Sequence, residues 1–241
     1  MTEKRMRLLT AGLAVVALIA ALFVINPGLG RSASAAWDGT ATAGFESGTG
    51  DSSDPYIIKT AEQLAFLAKQ VNGGETYQGK YFQLEADLDL SGREWAPIGI
   101  GERETGGSTV TKPFAGTFDG NNHKISGLTL TAGLDDQGLF GCSSGMIRNL
   151  GIENGNISIS SAERTGAICG YSTGTIENCW NSADITGSTE GGIYIGGICG
   201  YNTGTISGCL NTGDITANSF IGGICGNTNR DTQISNCFNS G

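Results

Sequence analysis

The sequence predicts an all-β protein, a parallel β-helix (solenoid) with one short N-terminal capping α-helix. Three observations point there. Gly166–Thr186 (GAICGYSTGTIENCWNSADIT) returns as Gly196–Thr216 (GGICGYNTGTISGCLNTGDIT) with 14 of 21 positions identical, and a third copy starts at Gly222. Self-similarity at this period marks units that cannot bury an apolar face alone and must stack. Apolar positions come in short alternating runs, such as Thr205-Ile206-Ser207 and Asp214-Ile215-Thr216, with no i, i+3, i+4 stripe between them. Glycine, at 40 of 241 residues, supplies tight corners, and charged residues, at 15%, are sparse.

At the N-terminus, Lys4, Arg5 and Arg7 precede an apolar stretch from Leu8 to Ile25. Asn26-Pro27 and the small-residue triplet Ala33-Ser34-Ala35 follow. This is the outline of a secretory signal peptide over residues 1–36; a retained membrane anchor is the alternative. Its removal takes four of 14 basic and one of 23 acidic residues, leaving a net charge of −12. That balance argues against nucleic acid and anionic membrane as partners and suits a secreted or cell-surface protein.

Residues 37–80 read as an N-terminal cap. Trp37–Ser53 has the composition of a linker, yet Trp37 and Phe45 suit a docked segment. Pro55–Lys59 (PYIIK) reads as a strand. A helix over 60–72 follows: Thr60-x-x-Gln63 is a capping box, Leu64, Leu67, Ala68 and Val71 form the apolar stripe, and Asn72-Gly73-Gly74 ends it. Such a helix is expected to cover the open end of the stack.

Residues 81–241 read as the β-helix itself. In Tyr81–Leu90, Leu84, Ala86, Leu88 and Leu90 face one way and Glu85, Asp87 and Asp89 the other. Residues 101–111 read as a projecting polar loop, and Asp119-Gly120-Asn121 as a turn. Aligning the copies on their central isoleucine gives one column of Ile125, Ile147, Ile176, Ile206 and Ile234, at spacings of 22, 29, 30 and 28. A second column holds Phe118, Phe140, Cys169, Cys199 and Cys225, and a third Leu128, Leu150, Cys179, Cys209 and Cys237. All three are expected as interior ladders, with Cys142, which aligns with Tyr171 and Tyr201, outside them. The last copy stops at Gly241, before an equivalent of Asp214-Ile215-Thr216, so further repeats are expected downstream.

The run from DPYIIKTAEQLAFLA (54–68) through YFQLEADLDLSGREWAPIG (81–99) and FAGTFDGNNHKISGLTL (114–130) to GLFG (138–141) is similar to bacterial GLUG-motif surface proteins. The later GGICG, TISGC and GDIT segments resemble the GLUG repeats themselves. The resemblance covers nearly all of residues 37–241. It implies a right-handed parallel β-helix on secreted or wall-attached proteins, often one module of a longer chain. Similar repeats flank immunoglobulin A-cleaving metallopeptidases. Cysteine in the GGICG column departs from the more usual aliphatic residue.

Candidate chemistry is thin. The single histidine, His123, excludes an H-E-x-x-H zinc helix, and no C-x-x-C pair exists. No catalytic residue and no cofactor are expected. The ladder cysteines read as small buried hydrophobes, and disulfides between stacked coils at about 4.8 Å are the alternative. Glu85, Asp87 and Asp89 form an outward row, a weak candidate for calcium or glycan, with no basic residue read beside it. Asp135-Asp136 is a candidate carboxylate pair for glycoside hydrolysis. Asn156, Asp184 and Asp214 form a further row, read as corner hydrogen bonds. Basic side chains look scattered: Arg148, Arg164, Arg230 and the Lys112/Lys124 pair. The reading that follows is a non-catalytic extracellular β-helix module with an adhesion, spacer or interaction role, its partner a glycan or a cell-surface protein. The alternatives are a polysaccharide-acting β-helix hydrolase or lyase, or the flanking region of a secreted metallopeptidase.

Overall fold

Corners decide this fold. After each of the last four strands of the seven-stranded first sheet the chain enters the left-handed region, and the sequence places Asn or Gly there. Asn149 (φ 53°), Asn178 (51°), Gly208 (63°) and Asn236 (54°) hold equivalent positions in four successive coils. Asn tolerates this backbone better than other side chains because its short amide bonds locally. Asn149 Nδ2 also bonds across coils, donating to Asp119 Oδ1 at 2.9 Å. The expected turn at 119–121 forms in the same way, with Asn121 at φ 50° and its N–H on Asp119 Oδ1.

The structure, a computed structural model, describes residues 36–105, 108–131, 135–187, 193–218 and 220–241. The expected signal segment, Ala36 aside, lies outside the described residues. From Ala36 onward the chain winds as a β-solenoid. One coil runs through Met146–Arg148, Gly151–Glu153, Asn156–Ile159, Arg164–Gly166 and Cys169–Ser172, then closes on Thr175–Glu177 one level up. The five strand positions build sheets I to V, of seven, six, four, four and four strands, all paired in parallel.

The interior follows the register. In sheet I, Phe82, Phe118, Ile147, Ile176, Ile206 and Ile234 stack directly. Ile147, Ile176 and Ile206 are fully buried, each worth about 1.5–3 kcal/mol of transfer free energy. In sheet V, Phe140, Cys169, Cys199 and Cys225 stack. The upstream end of the expected alignment is corrected here. Ile125 belongs to sheet II, between Leu88 and Ile152, and Phe118 takes the place expected for it in sheet I. Leu128 lies outside the Leu150 column as well, its carbonyl receiving the N–H of Asn156. All three residues are buried, so the inward face was right and the sheet wrong. The cause is a slip of one strand: Phe118 to Ile147 is 29 residues, the true period, whereas Ile125 to Ile147 is 22.

The helix (α1, Ala61–Gly73) forms as expected. Thr60 Oγ1 accepts the Gln63 N–H, Gly74 closes the end at φ 115°, and Leu64, Leu67, Ala68 and Val71 join the common core. Gln63 Oε1 reaches back one residue further than a capping box requires, to the Lys59 N–H at 2.7 Å. Strand Tyr56–Ile58 is the first member of sheet I, which places α1 within the first coil. The preceding segment docks. Trp37 packs on Trp95 (5.6 Å), and Phe45 sits among Tyr56, Phe66, Tyr77 and Phe82 at 4.8–6.3 Å. The expected polar loop at 101–111 is instead an antiparallel hairpin, Ile100–Thr105 with Ser108–Lys112. β-branched Thr109, Val110 and Thr111 favour a strand there.

Candidate functional site

The predicted carboxylates do not gather into one site. Tyr81–Leu90 breaks at a corner, with strands Tyr81–Leu84 in sheet I and Leu88–Asp89 in sheet II. Glu85 therefore meets Lys59 (2.9 Å), Asp87 meets His123 Nδ1 (3.1 Å), and Asp89 accepts the N–H of Ser91 (2.9 Å). Basic groups do accompany this row, contrary to the sequence reading, because stacking brings Lys59 and His123 from adjacent levels. Among the described residues no three His, Cys, Asp or Glu side chains cluster closely enough to hold a metal ion. Asp184 does act at a corner, its Oδ1 accepting the Asp214 N–H at 3.0 Å.

One interior feature was missed. Sheet II changes filling along its length: Leu88, Ile125 and Ile152 give way to Asn181, Asn211 and Asn239. Each amide bonds the next, Asn181 Nδ2 to Asn211 Oδ1 and Asn211 Nδ2 to Asn239 Oδ1, both at 2.8 Å. Each also caps its own corner, on Ala183 O and Gly213 O. The signal was Cys-x-Asn, repeated at Cys179, Cys209 and Cys237. The thiol stacking expected from the sequence is present. All seven cysteines are free; Cys142, Cys169, Cys179, Cys199 and Cys209 are buried. Cys142 faces the Tyr171 column as expected, yet it is covered.

The most site-like surface lies where sheets IV and V meet. Asp136, Arg164, Tyr194 and Phe220 form the outward column of sheet IV, and Cys142, Tyr171, Tyr201 and Asn227 the outward column of sheet V. The chain folds back on itself between them. A Cβ on Gly200 would lie 2.4 Å from the Thr165 nitrogen, so glycine is required for the sheets to come this close. The two columns therefore touch. Arg164 lies over the Tyr171 ring at 4.7 Å, and ring centroids then step from Tyr171 to Tyr201 (5.8 Å), Tyr194 (5.6 Å) and Phe220 (5.4 Å).

At one end of this run Arg164 binds Asp136 through Nε and Nη2. Asp136 is 7% exposed, and a side chain at Gly101 of the hairpin would collide with its carboxylate. Burial outweighs the attraction of Arg164 and lifts the carboxyl to about 6. It is ionised and paired at neutral pH. Asp135, its partner in the sequence reading, contributes its backbone carbonyl to the N–H groups of Glu163 and Arg164. A separate cavity of about 570 Å³ beside α1 is lined by Trp37, Trp95, Lys69 and Arg93. Both indole N–H groups there are engaged, on Thr40 O and Leu139 O.

Comparison with known proteins extends this picture. No family model matches the chain. Halomucin of Haloquadratum walsbyi is 29% identical over 196 residues, covering 71% of this chain and 2% of halomucin. A proposed Gly-rich membrane protein of Evansella cellulosilytica is 28% identical over 185 residues, covering 73% of this chain and 19% of that protein. The chain thus spans a small part of the length of both relatives. Among the described residues no helix is long and apolar enough to cross a membrane. The crystal structure of a proposed immunoglobulin A1 protease from Bacteroides ovatus superposes with a TM-score of 0.53 at 25% identity, covering 80% of this chain and 70% of that one. The chain is similar to these proteins, and its β-solenoid is the fold it shares with the last.

Proposed function

We propose that the chain is a non-catalytic, extracellular β-helix module of a bacterial surface or secreted protein, with an adhesion, spacer or interaction role. The observation that carries this reading is the uninterrupted register. Inward residues recur from coil to coil while the outward column of sheet IV changes from Asp136 to Arg164, Tyr194 and Phe220. Such a rod holds a varied outer face at fixed spacing. The relatives support it, since each matches over a small fraction of a long protein. The GLUG-like motifs and the apolar leader at 8–25 are consistent with export. Immunodetection on intact producing cells and in their medium, with N-terminal sequencing, tests this. The expected product lies outside the cytoplasm and begins at Trp37; confinement to the cytosol would sink the reading.

One observation favours an enzyme reading. Arg164 and Asp136 converge at the edge of a surface bend, a combination that suits polysaccharide chemistry. An inverting glycosidase, however, needs two accessible carboxylates about 6.5–9.5 Å apart, and Asp136 is buried against its arginine. Release of reducing ends from polysaccharide by the wild-type chain, abolished in Asp136→Asn, would restore that alternative. The likeness to the Bacteroides ovatus protein supports a third reading, a region that accompanies a protease domain.

A further inference from the structure

The aromatic run at the junction of sheets IV and V faces outward. Tyr171, Tyr194 and Tyr201 are half-buried and Phe220 is 59% exposed, whereas inward Ile195, Cys169 and Cys199 on the same strands are fully buried. Aromatic rings outside a core whose inner ladders are already filled, packed on one another as these are, turn the remaining part of their surface to solvent. We propose that Tyr171, Tyr201, Tyr194 and Phe220 form a binding stripe for an unbranched neutral polysaccharide lying along the solenoid axis.

Three features select that occupant. The rings occupy three successive coils, Tyr171 on the first, Tyr194 and Tyr201 side by side on the second and Phe220 on the third. The step of about 4.8 Å per coil is of the same order as one hexose unit, so a chain along the axis meets aromatic surface at each level. Tyrosine joins an apolar ring face to a hydroxyl, which matches the apolar faces and equatorial hydroxyls of a sugar better than a protein's apolar core residues. Charge excludes an anionic chain. Arg164 is already neutralised by Asp136, and Glu163, its side chain 71% exposed, stands 4.0 Å from the Arg164 Nη2. A uronate or sulfated glycan would meet net negative charge on a chain of formal charge −9.

The proposal rests on the extracellular-module reading and names its ligand site. It is tested with the full chain by calorimetric titration of cellohexaose, chitohexaose and hexagalacturonate. Binding of a neutral hexasaccharide is expected, weakened about tenfold or more by Tyr201→Ala and largely kept by Tyr201→Phe. In the unmutated chain the bound oligosaccharide should protect Tyr171, Tyr194 and Tyr201 from nitration, a readout that needs no variant to fold. Neutral binding without tyrosine protection and insensitive to Tyr201→Ala overturns the stripe but leaves the module reading standing. Binding of hexagalacturonate alone, or of none of the three, also overturns it. Failure of export in the experiment above removes the module reading instead.

Discussion

The two ends of the solenoid solve the same packing problem with different materials. In the first two coils the interior is aromatic and irregular. Phe82 alone touches Phe45, Tyr56, Tyr77 and Phe114 at 5.0–5.7 Å, and the level spacing from Phe82 to Phe118 stretches to accommodate a hairpin. In the later coils the period settles at 28–30 residues and the interior holds Ile, Cys and Asn in identical columns. Large rings fill a cavity whose shape is met once. Small identical residues suit a cross-section that recurs, because each is shaped to fit its own copy above and below. The difference teaches that an irregular, aromatic-filled first region, called the cap only for its position, leads into a propagating repeat.

The sharpest way to break that comparison is at Phe82. Its ring ties the docked segment at Phe45 to the second coil at Phe114, so Phe82→Ala should cost about 3–5 kcal/mol. Ile176→Ala, in the repeat, should cost about 2–5 kcal/mol, with repacking limited to the adjacent levels. Chemical denaturation of both variants checks this. An equal, small loss for Phe82→Ala would mean the cap is not coupled to the rod.

Asp136 sits at the border between the two regions, under the hairpin and against the first Arg of the outward column. Its folded carboxyl titrates at about 6 against an ordinary 3.8. The folded chain binds this proton more tightly than the unfolded chain, so the contribution is full below about pH 4 and lost as pH rises through about 6. The amplitude is about 3 kcal/mol. Asp136→Asn should remove that slope, and stability curves of both chains at pH 4 and 7 will show it. Parallel curves would mean that the site is open to water.

Within the repeat the asparagine column is the device with no counterpart in the cap. Asn211→Ala takes a partner from Asn181, from Asn239 and from the Gly213 carbonyl at once. A loss of about 1–3 kcal/mol is expected. Ile152→Val, two levels earlier in the same column, should cost about 0.5–1.5 kcal/mol. If the asparagine variant proves the milder of the two, water replaces the amide chain and the column is not a structural ladder.

What the sequence disclosed tracks this division. The columns from Ile147 to Ile234 were legible because copies align by eye and inward residues repeat. Ile125 was misplaced because its level carries Phe118 where later ones carry Ile, and similarity of type outweighed the aberrant spacing of 22. Asn181 and Asn211 went unread for another reason: asparagine in a Gly-rich context reads as a turn residue, so the repeated Cys-x-Asn signal was passed over until burial showed the column to be interior. Asp136 and Arg164 stand one period apart, yet only the register of sheet IV makes them partners. Lys59 and Glu85 likewise meet only once Tyr56–Ile58 is known to open sheet I.

The smallest expected effect concerns how far the repeat's order reaches toward its last described coil. Cys169 and Cys199 are fully buried in sheet V, whereas Cys225, one level further on, and Cys237, in the coil after that, are partly exposed, with Ile234 and Phe238 of that coil 43% and 46% exposed. Burial pushes the Cys199 thiol far up, and the hydrogen bond that this thiol donates to Cys169 adds to the shift. The thiolate is the form that reacts, so a buried, raised thiol is doubly protected. Alkylation under native conditions, read by mass spectrometry, should modify Cys237 first and Cys225 next, and reach Cys169 and Cys199 only on global unfolding. Cys199→Ala should cost about 1 kcal/mol, since a small side chain leaves a small void. Labelling of Cys199 as fast as Cys237 would show that coils open one at a time, the behaviour of a weakly coupled array. Recovery of Cys199 joined to Cys225 would show instead that the stacked thiols close into a crosslink, and that the repeat is locked by covalent bonds where the cap is held by aromatic packing.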